Sequence, residues 1–163
     1  MDTHNAAYLG NRCCGTLASL LGTLGNHAAQ VGLIGIDLLD ALTNRSHRAD
    51  DILTSIRIAK EFGVKLTLDH CTDGSVIADE LAKEGYPAFV GPTLGGKSKI
   101  ELMSKSFATP VALYRAGVSF SIITDAPVTP LEYLPMCAAL AVDAGLDKEE
   151  AWKAITINPA VST

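Results

Sequence analysis

Two polar side chains that end apolar segments are the first candidates for chemistry. His70 closes the alternating run 64–72, and Asp125 closes the run 118–127, which is stopped by Pro127. An imidazole and a carboxylate are groups that hold metal ions and transfer protons. If both runs are strands of one sheet, His70 and Asp125 are predicted to form a metal and proton-transfer site.

A second motif predicts different chemistry. Residues 91–98 match the pattern G-x-x-x-x-G-K-[ST] of a phosphate-binding loop. In such loops, backbone N–H groups at a helix N-terminus bind phosphate, the lysine contacts the outer phosphates and the hydroxyl binds Mg²⁺. The corresponding residues are Gly91, Gly96, Lys97 and Ser98, and they predict a P-loop nucleotide binder as an alternative function. A glycine-rich loop whose lysine and serine merely open a helix is the other interpretation.

Strands and helices alternate in the part of the chain that carries these residues. The predicted strands are 64–72, 88–91 and 118–125. The predicted helices run from the Ser46 cap to Gly63, from Val76 to Gly85, over 97–106 and 110–116, from Pro130 to Gly145, and from the Asp147 cap onward. This alternation predicts an α/β fold with a parallel sheet, whose chemistry lies at the carboxyl ends of the strands.

Residues 1–45 form a separate Gly- and Ala-rich segment to which no motif assigns a role. Its leucines at i, i+3, i+4 and i+7 indicate a helix face that packs in a core or on a partner, namely Leu17, Leu20, Leu21 and Leu24. Residues 36–46 lack a strand pattern. The predicted division is therefore an unassigned segment, 1–45, and an α/β part, 46–163.

Composition excludes several classes of protein. With 163 residues, 48% hydrophobic and 19% charged, the chain is predicted to fold as a domain with a sizeable core. A net charge of −5 without a Lys/Arg run argues against nucleic acid binding. The chain has no apolar run of about 18 residues and no basic N-terminal region, which predicts no membrane span and a cytoplasmic location. The four cysteines lack disulfide or zinc-ribbon spacing and are predicted to be reduced, with Cys71 buried and inert.

Four motifs in the second part of the chain resemble one known family. They are residues 47–52, 68–74, 123–128 and 154–160. In this order they resemble the C-terminal part of the amidohydrolase superfamily, the imidazolonepropionase- and prolidase-like metal-dependent hydrolases. The resemblance covers roughly residues 47–163 and is more specific than the single phosphate-loop motif. It implies the C-terminal half of a (β/α)₈ TIM barrel.

The resemblance also implies roles for three residues. His70, at the end of the sixth barrel strand, is a metal ligand, and the metal is a divalent ion, usually zinc. Asp125, at the end of the eighth strand, is a metal ligand and a catalytic proton shuttle. His47 lines the substrate pocket or supports a ligand. The implied reaction is hydrolysis of a C–N bond in a small amide, cyclic amide or dipeptide-like substrate, in which Asp125 moves a proton from metal-bound water to the leaving nitrogen.

The chain departs from the family pattern at the metal ligands. Residues 1–45 contain no His-x-His pair, and the position of the fifth-strand ligand is Arg45, which has no lone pair to donate. Ala126 replaces a histidine that is common after the aspartate. Two ligands are fewer than the three or more of a catalytic zinc site.

These departures predict a truncated family member. An inactive fragment or an interaction module is the non-enzymatic alternative. Because an incomplete barrel leaves strand edges and an apolar face uncovered, a homo-oligomer is expected to cover them.

Overall fold

The computed structural model describes residues 30–32 and 41–162, and its strands form one sheet. In chain order, which is also the order in the sheet, the strands are β1 (Gln30–Gly32), β2 (Ala41–Ser46), β3 (Lys65–His70), β4 (Ala88–Val90) and β5 (Phe120–Ile122). Strands β2 to β5 are parallel, and β1 pairs antiparallel with β2. The predicted α/β fold, with parallel strands alternating with helices, is confirmed.

Helices connect the parallel strands and follow the last one. They are α1 (Ala49–Phe62), α2 (Ala78–Glu84), α3 (Thr109–Ala116), α4 (Leu134–Asp143), α5 (Lys148–Ala154) and α6 (Ile157–Ser162). Short 3₁₀ turns cover Thr72–Ser75, Ile100–Leu102 and Leu131–Tyr133. None of the helices in the described ranges is long and apolar enough to cross a membrane.

Local signals explain where several helices begin and end. Gly63, Gly85 and Gly117 adopt the left-handed conformation directly after α1, α2 and α3, a common way to end a helix. The Asp147 carboxylate accepts the N–H groups of Glu149 and Glu150 at 2.8 and 3.2 Å. The predicted cap of α5 is therefore confirmed.

The core lies where helices cover the sheet. Ile52 and Ile56 of α1 belong to the same buried cluster as Leu66 and Leu68 of β3. Every residue of β4 and β5 is buried, so successive side chains on both faces of these strands are covered. The expected apolar barrel face is therefore not exposed along β4 and β5. Association of copies through strand edges stays a prediction.

The structure corrects the sequence predictions around β2. Residues 41–46 form a strand although no strand pattern was expected there, because β1 and β3 pair with it on both sides. Ser46 ends this strand and does not cap a helix; α1 begins at Ala49. Arg45 and Ser46, on either side of the predicted division, both belong to β2, and the division of the chain into two parts stays a prediction. The predicted leucine face in the first segment lies outside the described residues.

Later corrections concern a helix and two side chains. The helix predicted over 97–106 is wrong, since only the 3₁₀ turn Ile100–Leu102 forms in this segment. The spacing of apolar residues in the last two predicted helices predicts that Met136 and Trp152 pack inward, but they are 43% and 53% exposed. The amphipathic pattern identified the helices but not the direction of these two side chains.

The position of Cys71 leads to a testable prediction. Its side chain is 0% exposed, and burial raises the pKa of its thiol to about 12, with the nearby charge of Asp73 acting in the same direction. Because the thiolate is the reactive form, we expect iodoacetamide at neutral pH to leave Cys71 unmodified in the folded chain and to modify it in urea. Peptide mass spectrometry resolves this site from the other cysteines. Equal labelling of Cys71 in both conditions would contradict the buried position.

Candidate functional site at the carboxyl edge of the sheet

His70 and Asp125 meet at the carboxyl edge of the parallel strands. His70 is the last residue of β3, and Asp125 follows β5 after Ile123 and Thr124. The distance between His70 Nε2 and Asp125 Oδ2 is 4.0 Å. The convergence expected from the parallel topology is therefore observed, while the roles of both residues as metal ligands stay predictions.

The backbone at both residues has an unusual conformation. His70 has φ 69° and Asp125 has φ 49°, in the left-handed region that non-glycine residues rarely adopt. Such conformations persist only where the surrounding structure imposes them, and they are concentrated at functional sites. They turn the chain sharply at the strand ends, where these two side chains lie.

The hydrogen bonds of His70 identify the tautomer of its ring. Nδ1 lies 2.7 Å from the carbonyl oxygen of Gly91, which only accepts, so Nδ1 carries a proton. Burial lowers the pKa of His70, so the ring is neutral near pH 7 and Nε2 has a lone pair. Arg45 Nε donates to this lone pair at 3.0 Å.

Arg45 also binds the carboxylate of Asp125. Its Nη2 donates to Oδ1 at 2.6 Å and to Oδ2 at 2.7 Å. The guanidinium therefore connects β2, the end of β3 and the segment after β5. Sequence analysis treated Arg45 only as a lost metal ligand and missed this role.

Two further residues flank this cluster. The rings of His47 and His70 stack with centroids 4.5 Å apart, and His47 Nδ1 lies 2.8 Å from Thr72 Oγ1. Burial, followed by the proximity of His70, lowers the pKa of His47 to about 4, so this ring too is neutral near pH 7. Burial raises the pKa of Asp69, the strand partner of Arg45, to about 6, although the charge of Arg45 opposes this shift.

The cluster opens into a pocket of about 1110 Å³. Its lining includes Arg45, His47, His70, Asp125 and the lysines Lys99 and Lys105. His47 thus lines the pocket, as one of the two predicted roles requires. Its size and mixed charges suit a small polar molecule.

Comparison with solved structures identifies a similar fold. The crystal structure of an amidohydrolase from Thermotoga maritima MSB8 matches this chain with a TM-score of 0.72 and 32% sequence identity. The match covers 96% of this chain and 44% of that chain. The chain has an amidohydrolase-type fold.

The amidohydrolase-type fold agrees with the resemblance at a coarse level. This chain spans less than half the length of the Thermotoga protein. No family model matches the sequence, and no curated protein matches it. The narrower assignment to imidazolonepropionase- or prolidase-like enzymes stays a prediction.

The described residues do not fit the zinc ion that the fold implies. A catalytic zinc takes three protein ligands and a water. Within residues 30–32 and 41–162, no group of three or more His, Cys, Asp or Glu side chains is placed to hold a metal ion. The His70 lone pair and both Asp125 oxygens already accept hydrogen bonds from Arg45. The atoms that could ligate a metal ion are therefore bound to the Arg45 guanidinium instead.

The predicted phosphate loop lies beside this cluster but lacks its helix. Gly91 contacts His70 through its carbonyl, and Gly96 and Ser98 line the same pocket. Lys97 Nζ donates to the carbonyl of Met103 at 2.7 Å. The helix N-terminus that would bind phosphate does not form directly after the loop. Phosphate binding stays a prediction.

The closing Asn-Pro-Ala motif, residues 158–160, anchors the end of the chain near the sheet. Asn158 Nδ2 donates to the carbonyl of Phe120 at 2.8 Å. This bond joins α6 to the first residue of β5. In the structure the Asn158 side chain acts by positioning α6 against the strand that leads to Asp125.

Proposed function

We propose that this chain is an amidohydrolase-type domain that binds a small amide, cyclic amide or dipeptide-like molecule and does not itself hydrolyse its C–N bond. The contact between Arg45 and Asp125 carries this proposal. The pocket supports a binding role because it is open and because both neutral and charged groups line it. The similar protein is named an amidohydrolase, which supports an amide as the ligand.

The reason for the absence of hydrolysis is the state of the Asp125 carboxylate. A general base must contact the water whose proton it takes. Both oxygens of Asp125 accept short hydrogen bonds from a permanently charged guanidinium, at 2.6 and 2.7 Å. Such charge-assisted bonds are about twice as strong as neutral ones. These bonds hold the Asp125 carboxylate in a structural ion pair with Arg45.

An assay with a panel of N-acyl amino acids, cyclic amides and dipeptides tests the proposal. We expect the purified chain, with zinc added, to release no more amine or acid than a zinc-containing blank, because Asp125 stays bound to Arg45. Product release is followed by amine derivatisation. Turnover by the wild-type chain that Asp125→Asn abolishes, and that Asp79→Asn at an exposed position of α2 leaves intact, would overturn the proposal.

Metal-dependent hydrolysis of a C–N bond is the second candidate. The 32% identity to an amidohydrolase over 96% of this chain favours it. It requires metal ligands beyond His70 and Asp125, and it requires Arg45 to leave the carboxylate. One zinc per chain together with turnover that depends on Asp125 would establish this candidate.

A further inference from the structure

The most unusual feature of the site is the position of the Arg45 guanidinium. It lies between an imidazole and a carboxylate that are 4.0 Å apart and belong to different strand ends. Its Nε donates to His70 and its Nη2 to Asp125. One positive group thus joins two donors of the kind that ordinarily share a divalent ion.

The guanidinium binds the lone pairs of His70 and Asp125 that a metal ion would also need. The neutral imidazole of His70 has a single lone pair on Nε2, since Nδ1 donates to Gly91. A zinc ion bound to this atom would lie about 2.1 Å away along the lone pair. Arg45 Nε–H occupies that direction at 3.0 Å. An ion therefore binds His70 only after Arg45 has left.

Electrostatics adds to this exclusion. Arginine stays protonated at all accessible pH values, so its charge cannot be removed to admit a second cation. Two positive groups near the same carboxylate repel each other in a partly buried site. The carboxylate charge is also matched by the guanidinium, which leaves less attraction for an ion.

We infer that Arg45 is a built-in cation that takes the place of a metal ion at the carboxyl edge of the sheet, holds His70 and Asp125 together, and keeps divalent ions away from them. This inference rests on the proposed function for the identity of the site. It assigns to Arg45 a positioning role: from β2, the residue fixes two side chains and the two chain segments that carry them.

Metal titration of matched variants tests the inference. Co²⁺, whose visible absorption reports its ligands, is titrated into the wild-type chain, Arg45→His and the control Arg48→His. Arg48 lies near the same pocket but pairs with Asp50 at 2.9 Å, so its replacement also adds a histidine without removing the central cation. His70→Ala in each background identifies ions that bind at this site.

We expect wild type and Arg48→His to show no Co²⁺ binding that His70→Ala removes. Arg45→His should bind one ion at least about 100-fold more tightly than wild type, because a neutral imidazole, the third ligand beside His70 and Asp125, replaces a fixed positive charge. That binding should disappear in the double variant Arg45→His/His70→Ala. A wild-type chain that binds Co²⁺ through His70, or a folded Arg45→His that gains no site, would overturn the inference.

Two measurements keep the result interpretable. Circular dichroism shows whether Arg45→His is folded. If it is not, NMR of the His70 ring in the wild-type chain decides: an unchanged Nε2 signal with excess zinc supports the inference, and a shifted one refutes it. Turnover by the metal-free wild-type chain would refute the proposed function but not this inference. Zinc bound at His70 without turnover would refute this inference but not the proposed function.

Discussion

Replacement of Gly91 by alanine is expected to destabilise the chain by about 3–5 kcal/mol. Gly91 has φ 144°, a conformation that L side chains rarely adopt. A Cβ at this position would overlap the carbonyl oxygen of Ile123 and lie 3.1 Å from Ile123 Cγ1. Ile123 cannot easily move, because its N–H donates to the carbonyl of Val90 at 2.9 Å. The strained backbone and the close contact therefore add to each other.

Urea unfolding measures this loss, and a glycine of the same loop provides the control. No atom lies within 4 Å of a Cβ built on Gly96, so Gly96→Ala should change the free energy of unfolding by no more than about 0.5 kcal/mol. The Gly91 carbonyl accepts the Nδ1–H of His70, so Gly91→Ala should also loosen that ring. Equal stability of the two variants would contradict the close packing of Gly91 against Ile123.

Truncation of Leu68 to alanine is expected to lower the free energy of unfolding by about 2–5 kcal/mol. Leu68 lies in β3, between β2 and β4, and its side chain is 0% exposed. The substitution removes buried methyl groups and leaves a cavity that close-packed neighbours fill only in part. Because His70 is two residues further along the same face of β3, the site should also lose order.

The matched control for Leu68 is Leu53 on α1, whose side chain is 39% exposed. Leu53→Ala should cost less than about 1 kcal/mol, because little buried surface is lost and alanine favours a helix. Urea titrations of both variants give the two free energies of unfolding, when one common dependence of this free energy on urea concentration is used. A Leu68→Ala loss as small as that of Leu53→Ala would show that β3 is not central to the core.

Prediction from sequence succeeded where the cause is local. Gly63 and Gly85 end helices because the left-handed conformation suits glycine, and Asp147 caps α5 through its own neighbours. The alternation in β3 identified the strand and placed His70 at its end. Parallel order then brought Asp125 to the same edge.

Prediction from sequence failed in two segments. Residues 41–46 have little strand signal of their own, and they form β2 because β1 and β3 supply hydrogen bonds on both sides. The segment 97–106 looked helical, yet Lys97 and Lys105 donate to the carbonyls of Met103 and Gly96 and stabilise an irregular loop. For β2, contacts outside the segment outweigh local preference. In the loop, side-chain bonds between residues six and nine apart take the place of the expected helix.

The amino-acid sequence by itself determined the α/β class, several helix ends, and the pair His70 and Asp125 at one edge of a parallel sheet. Only the tertiary structure decided what that pair binds. Arg45 and Asp125 are 80 residues apart in the chain, so no local pattern reports their ion pair. The pair forms because β2 takes its place beside β3, which brings a permanent positive charge to an imidazole lone pair and a carboxylate.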